Sequence, residues 1–241
     1  MSLAVTLTII AVVAVASTVQ GIIGFGFALF VAPVTAAVID PRAAVVVVTL
    51  LGTIIPSGMA WTYRSRIAVQ PATRLSVGVV LGAPLGLAVL LHLPSRGLKI
   101  SIAVAVLASV AILWRGVHLS VARPGLDLGL GVVSGALATS TGTNGPPVVL
   151  ALQARRLDPD AFRATSAVCL LVANAVTAVL LTASGQIHGR LLVLCAVALP
   201  ANLLGWWAGS RLRVRIPAER FRSVVLGFLA ASAAVAIVSA W

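Results

Sequence analysis

The residues best equipped for chemistry fall in one short stretch, ATSTGTNGPP, residues 138–147. Ser140, Thr141, Thr143 and Asn144 bring neutral hydrogen-bond donors. Gly142 and Gly145 allow dihedrals that other residues avoid, and Pro146 suits the first turn of a new helix. A second stretch, QGIIGFGFALFVAP, residues 20–33, sets Gln20 ahead of Gly24, Phe25 and Gly26. Both interrupt apolar sequence with residues that break a helix. A helix that restarts there leaves its first N–H groups without internal partners and carries about half a positive charge at that end. Such an end binds anions. The pattern therefore points to an oxyanion site built from backbone amides and neutral side chains, without a fixed cation.

Glycines in apolar spans also serve close helix packing. For residues 20–33 alone, packing and binding are equally good readings. Residues 140–147 add four polar side chains and two prolines that packing does not require, which favours binding. Other glycines fit packing better: Gly78, Gly82 and Gly86 at four-residue intervals, and the pairs Gly131/Gly135 and Gly205/Gly209.

The segments that must position these stretches are membrane spans. The chain has 241 residues, 60% hydrophobic and 9% charged, with a mean hydropathy of +1.13. A soluble domain needs more charge than that to cover its surface. Apolar runs recur at roughly 3–39, 43–63, 75–93, 97–115, 126–154, 164–183, 190–210 and 222–240, matching the ~20 residues that cross a bilayer core. The first and fifth are too long for one crossing and too short for two comfortable ones. Each holds one of the two stretches, so each reads as a helix, a break and a shorter helix. The fold class expected is an all-α, polytopic transmembrane bundle. The N-terminal run has no basic region ahead of it and reads as a retained span rather than a cleaved leader.

The chain also repeats. An offset of 118 residues places Gly24 on Gly142 and Asp40-Pro41 on Asp158-Pro159. Two homologous halves, 1–117 and 118–241, follow, each with about four nominal spans. Four crossings per half would make the repeats parallel and five would invert them; the sequence leaves both open. Repeats of this kind place a substrate site at their interface.

The net charge of +12 does not indicate nucleic acid, because the basic residues lie in loops between spans. Numbered in order, the odd loops carry the excess. That places them in the cytoplasm and both termini outside, and the margin depends on the seventh loop. Trp61, Trp114 and Trp241 at span ends suit an interfacial belt. The run RLRVRI, residues 211–216, reads as an anchor to anionic headgroups. Arg163, in the fifth loop, reads as a topology determinant ahead of an anion attractor. His92, His118 and His188 read as solvated interface residues. Cys169 and Cys195 fall in apolar spans and read as small packing residues. No Cys or His spacing suggests a metal or haem site, so no cofactor is expected.

The stretches GIIGFGFALFVAP and TGTNGPPVVLAL, the latter followed by FRAT (Phe162 to Thr165), resemble those of the TauE/SafE family of membrane transporters, also called sulfite-exporter-like permeases. The likeness covers essentially the whole chain. It implies transport of small sulfur-containing or organic anions, such as sulfite, sulfonates or sulfoacetate, across the bacterial inner membrane. Here the first break reads Gly-Phe-Gly-Phe, where many members are richer in glycine.

The acidic residues Asp40, Asp127, Asp158, Asp160 and Glu219 all fall at span ends or in loops, leaving no carboxylate at a midplane to relay a coupling ion. That favours uncoupled transport, or coupling through the substrate's own protonation, although a backbone site for Na⁺ stays open. An inside-negative potential drives anions outward, which favours export over import. Asn174 and Gln20 are each as well read as cavity residues as helix bridges; Asn202 needs a partner in its span. The partners expected are a small anion and the lipid bilayer, with a homo-oligomer left open. A channel-like anion pore is the competing function. No nucleophile–base pair lies at depth to make an intramembrane enzyme.

Overall fold

The computed structural model describes residues 2–115, 123–155 and 157–212. His118, Arg156, Glu219, Trp241, the arginines from Arg213 onward and the span at 222–240 lie outside the described residues. Among the described residues every regular element is helical: α1 (Leu3–Ile23), α2 (Phe27–Val38), α3 (Pro41–Thr62), a 3-10 turn (Arg64–Arg66), α4 (Val69–His92), α5 (Ser95–Trp114), α6 (Pro124–Thr141), α7 (Gly145–Gln153), α8 (Pro159–Ala183) and α9 (Gly189–Leu212). Six of these helices are long and apolar enough to cross a membrane. The chain is a multi-pass membrane protein.

The two over-long apolar segments are each a helix, a break and a shorter helix. Gly24 ends α1 at φ 97° and its N–H bonds back to the Gln20 carbonyl at 2.7 Å. Gly142 ends α6 in the same way, at φ 76°, with its N–H on the Ala138 carbonyl at 3.1 Å. Left-handed C-caps of this kind suit glycine, which has no Cβ to clash. The repeated Asp-Pro pairs cap the helices that follow. Asp40 accepts from the N–H groups of Arg42 and Ala43 at the start of α3. Asp158 accepts from those of Asp160 and Ala161 at the start of α8. In both, proline fills the first helical position, where no N–H is needed.

Contacts between helix ends sort the ends onto two faces. Arg42, opening α3, donates from Nε to the Leu90 carbonyl at 3.1 Å and from Nη2 to the Leu93 carbonyl at 3.0 Å, where α4 ends. Ser95, opening α5, donates to Asp40 at 3.2 Å. These ends define one face. On the other, the Ala68 N–H ahead of α4 meets Thr165 Oγ1 near the start of α8 at 3.0 Å. Asp127, buried in the first turn of α6, pairs there with Arg155 just beyond α7 and, at 3.9 Å, with Arg74 of α4. The start of α6 and the end of α7 thus share the second face, so the pair is a re-entrant hairpin. Arg163, near the start of α8, donates to the Gly21 carbonyl at 2.9 Å, which turns the end of α1 toward that second face. Since α2 ends beside the start of α3, the α1–α2 hairpin opens on the first face. The two hairpins therefore enter from opposite sides.

This geometry changes the loop assignment expected from sequence. Residues 3–39 and 126–154 do not cross as single units, so loops do not simply alternate. Among the described residues, Arg42, Arg96, Lys99 and Arg190 belong to the first face. Arg64, Arg66, Arg74, Arg115, Arg123, Arg155, Arg163 and Arg211 belong to the second. Trp61, Trp114 and Trp207 are exposed toward that second face. Arg64 stacks on Trp61 at 4.9 Å and Arg211 on Trp207 at 4.6 Å, as an aromatic belt at an interface allows.

The glycine rows are packing seams. A Cβ on Gly82 would lie 2.0 Å from the Val132 carbonyl oxygen, and one on Gly86 2.1 Å from that of Ala136. Gly131 and Gly135 answer from α6 against Leu75 and Val79, so α4 and α6 run parallel, backbone to backbone. Gly205 and Gly209 of α9 meet Ala14 and Thr18 of α1 in the same manner. The Asn202 amide closes this second seam, donating to the Leu51 carbonyl at 2.9 Å and accepting from Ser17 at 3.0 Å. Beside it, Ile9, Val13, Leu29, Phe30, Val45 and Leu51 form the largest buried cluster, which fixes α2 between α1 and α3.

Candidate functional site

Helix lengths bring the two breaks to the same depth. α7 has nine residues and α2 has 12. At 1.5 Å per residue they rise about 14 and 18 Å, together close to the ~30 Å core of a bilayer. Entering from opposite faces, their N-terminal ends meet near the middle. Ser134 fixes the level of the second break by donating to the Asn144 carbonyl at 2.7 Å. Ser134 lies about 15 Å along α6 from its start.

Between the two N-termini lies a small cavity of about 20 Å³. Gln20 of α1, Gly26 to Leu29 at the start of α2, Val48 and Gly52 of α3, Asn144 and Gly145 at the start of α7, and Leu170 and Asn174 of α8 line it. A larger groove of about 480 Å³ runs along α4 past Thr73, Val77 and Leu81 to Val168. That groove is apolar, open to the outside of the bundle and lined by no residue of either break. The polar groups converge on the small cavity, which is the better candidate despite its size.

The first N–H groups of α2 and α7 have no partner within their own helices. At α7 the supply is thin, because Pro146 and Pro147 carry no N–H and leave Gly145 as the donor of the first turn. The end of α2 is fuller. Leu29 N–H turns back to the Gly26 carbonyl at 3.0 Å, which leaves Phe27 and Ala28 at the cavity wall. Gly26 caps this helix at φ 103°, a left-handed conformation that excludes a bulky residue. Both ends are the positive poles of their helices.

Of the residues singled out in the sequence, Gln20, Gly26, Asn144, Gly145 and Asn174 meet in this cavity. Asn144 Nδ2 donates to Asn174 Oδ1 at 2.9 Å, so Asn174 both lines the cavity and bridges helices. The remaining seven have other contacts. Ser140 donates to the Ala136 carbonyl at 2.7 Å. Thr141 donates to the Leu137 carbonyl at 2.9 Å and pairs with Thr143 at 2.7 Å. These hydroxyls bond within α6 and the break and do not line the cavity. Gly142 packs on Val48, and Pro146 is buried in the first turn of α7. Gly24 lies under the Arg163 side chain. Phe25 packs on Val149 and Leu170 and touches Gly145, so its ring joins the first break to the second.

Arg163 is the residue whose placement sequence reading missed. The sequence treats it as a loop residue. In the structure it is buried, one turn inside α8, with its guanidinium on the Gly21 carbonyl beside the first break. The signal was its position five residues after the Asp158 cap, already inside a membrane helix. Gly52 was also missed; an isolated glycine in the run VVVVTLLGTII of α3 marks the wall where an added Cβ would meet Asn174 Nδ2 at 3.2 Å. His92 and His188 are exposed at helix ends. Among the described residues no cluster of His, Cys, Asp or Glu could hold a metal ion.

A family model described as sulfite exporter TauE/SafE matches residues 9–236. No curated protein and no solved structure matches the chain.

Proposed function

Because the chain belongs to the sulfite exporter TauE/SafE family, we propose that it is a secondary carrier that exports a small organosulfur or related oxyanion across the bacterial inner membrane. One observation carries this reading: the positive ends of α2 and α7 converge from opposite faces on a single buried cavity. Backbone amides and the Asn144 and Asn174 side chains would hold the anion there, with Arg163 as a fixed positive charge beside the first break. Each half of the chain contributes one broken helix. α1 of the first half packs on α9 of the second, and α6 of the second packs on α4 of the first. This exchange, with the hairpins opening on opposite faces, supports two inverted repeats at 1–117 and 118–241 and a substrate site at their interface.

The second face carries the larger share of arginines, and we place it in the cytoplasm, with the first face and the N-terminus outside. Single cysteines at Arg66 and Arg190, both exposed, test this, since the native Cys169 and Cys195 are buried. An impermeant maleimide added to intact cells is expected to label Arg190→Cys and spare Arg66→Cys. The opposite labelling would reverse the orientation.

Asp40, Asp127, Asp158 and Asp160 all lie at helix starts, away from the cavity. None of them is placed to bind a coupling ion at the cavity, and the membrane potential supplies a drive that needs no such ion. An inside-negative potential contributes about 2.3 kcal/mol per charge per 100 mV, which favours exit of an anion. Import of a sulfonate would need a coupling site that these residues do not form.

A standing pore is the alternative. The cavity volume favours a carrier, because about 20 Å³ leaves room for about one water molecule, far less than a standing pore needs. Passage then requires the hairpins to part from α3 and α8 on one side at a time. In liposomes holding the purified protein, internal sulfite or ethanesulfonate is expected to accelerate uptake of the same labelled anion. Flux that neither saturates nor responds to internal anion would replace the carrier with a pore.

A further inference from the structure

We propose that the anion accepted here carries a hydrogen-bond donor of its own, a hydroxyl or protonated oxygen beside its charged group, and that Gln20 selects for it. The proposal rests on the anion-carrier reading above and narrows its substrate class.

Gln20 is 2% exposed, lies in the last turn of α1 and lines the cavity between the starts of α2 and α7. Its Oε1 is buried without a hydrogen-bond partner. A carboxamide oxygen only accepts. Beside it, Asn144 Nδ2 donates to Asn174 Oδ1 at 2.9 Å, so neither of these two atoms turns to Gln20. The helix ends opposite present N–H groups, which only donate. The cavity therefore offers donors to a charged group and, beside them, a fully buried unmet acceptor in Gln20 Oε1. A bare oxyanion has only acceptor atoms and sets a lone pair against Gln20 Oε1. A guest that also bears an O–H satisfies both at once. Leaving a buried acceptor unmade is unfavourable. A site that holds one discriminates against an analogue lacking the matching hydrogen.

The test compares two probes of equal heavy-atom number, 2-hydroxyethanesulfonate and 1-propanesulfonate, which differ by a hydroxyl in place of a methyl group. Each competes for labelled anion counterflow into liposomes holding the full chain. The hydroxylated probe is expected to compete about tenfold better in the wild type. In Gln20→Leu the preference is expected to collapse or reverse, through weaker competition by the hydroxylated probe. Equal competition in the wild type, or a preference for 1-propanesulfonate as expected if the amide presents its NH₂ to the guest, overturns the proposal. An unchanged preference in Gln20→Leu also overturns it. If neither probe competes nor shifts the melting temperature, the anion-carrier reading falls and takes this one with it. Should Gln20→Leu fail to fold, Gln20→Met and the wild-type comparison still decide.

Discussion

Gly82→Leu is expected to leave no folded protein in the membrane. A Cβ alone at this position would lie 2.0 Å from the Val132 carbonyl oxygen and 2.8 Å from its Cα. Neither atom belongs to a side chain that could swing away. α4 would have to leave α6 along the seam that also holds Gly78 and Gly86, and Gly131 and Gly135 across it. Overpacking by single methylenes costs about 1–3 kcal/mol where side chains can adjust. Here the backbone itself would have to move, and the penalty reaches or passes the top of that range. In lipid the loss is not recovered, because helix association depends on such close contact rather than on hydrophobic burial. The measurement is the yield and dispersity of detergent-extracted protein by fluorescence-detected size exclusion. Gly129→Leu, on the same helix as Gly131, is the control, since nothing lies within 4 Å of an added Cβ there. A monodisperse Gly82→Leu protein at wild-type yield would show that the seam does not hold these helices together.

Asn144→Leu is expected to keep the fold and lose transport. The Asn144 side chain has one partner across the cavity, Asn174 Oδ1 at 2.9 Å. Leucine removes a donor from the anion's surroundings and leaves the Asn174 oxygen unpaired. An unmade buried hydrogen bond costs about 1–3 kcal/mol, which corresponds to roughly a 5- to 150-fold fall in kcat/KM for anion flux. Thr141→Val is the comparison. Thr141 is as deeply buried, but its hydroxyl serves Leu137 and Thr143 at the end of α6 and does not line the cavity. It is expected to lower the melting temperature while changing flux little. Equal loss of flux in both variants, with melting temperatures unchanged, would move the site away from the cavity.

The contrast between Asn144 and Thr141 marks the boundary of what the sequence carries. Both occur in the same polar run, and composition treats them alike. A hydroxyl one turn from a carbonyl of its own helix shares that carbonyl, as Ser140, Thr141 and Thr182 all do at i−4. The Asn144 amide follows the break and bonds to Asn174 of α8 instead. That choice depends on α8 being beside it, which local sequence does not encode.

The covalent chain by itself determined the features that depend on neighbours in sequence. Apolar length gave the spans, because about 20 residues match the bilayer core. Gly24 and Gly142 gave the breaks, because a left-handed cap is inexpensive only without a Cβ. Asp40-Pro41 and Asp158-Pro159 gave the restarts through their side-chain caps. The four-residue glycine spacing gave the seams, because one helix face repeats at that interval. Only the tertiary structure decided the rest. The sidedness of the two hairpins came from Asp127 meeting Arg155 and Arg42 meeting the end of α4, pairs far apart in sequence. The burial of Arg163 at the first break came from packing α8 against the end of α1. The cavity itself exists because two half-helices from distant parts of the chain end at one depth. Each has its unpaired amides fixed locally, and what those amides face is a property of the assembled bundle.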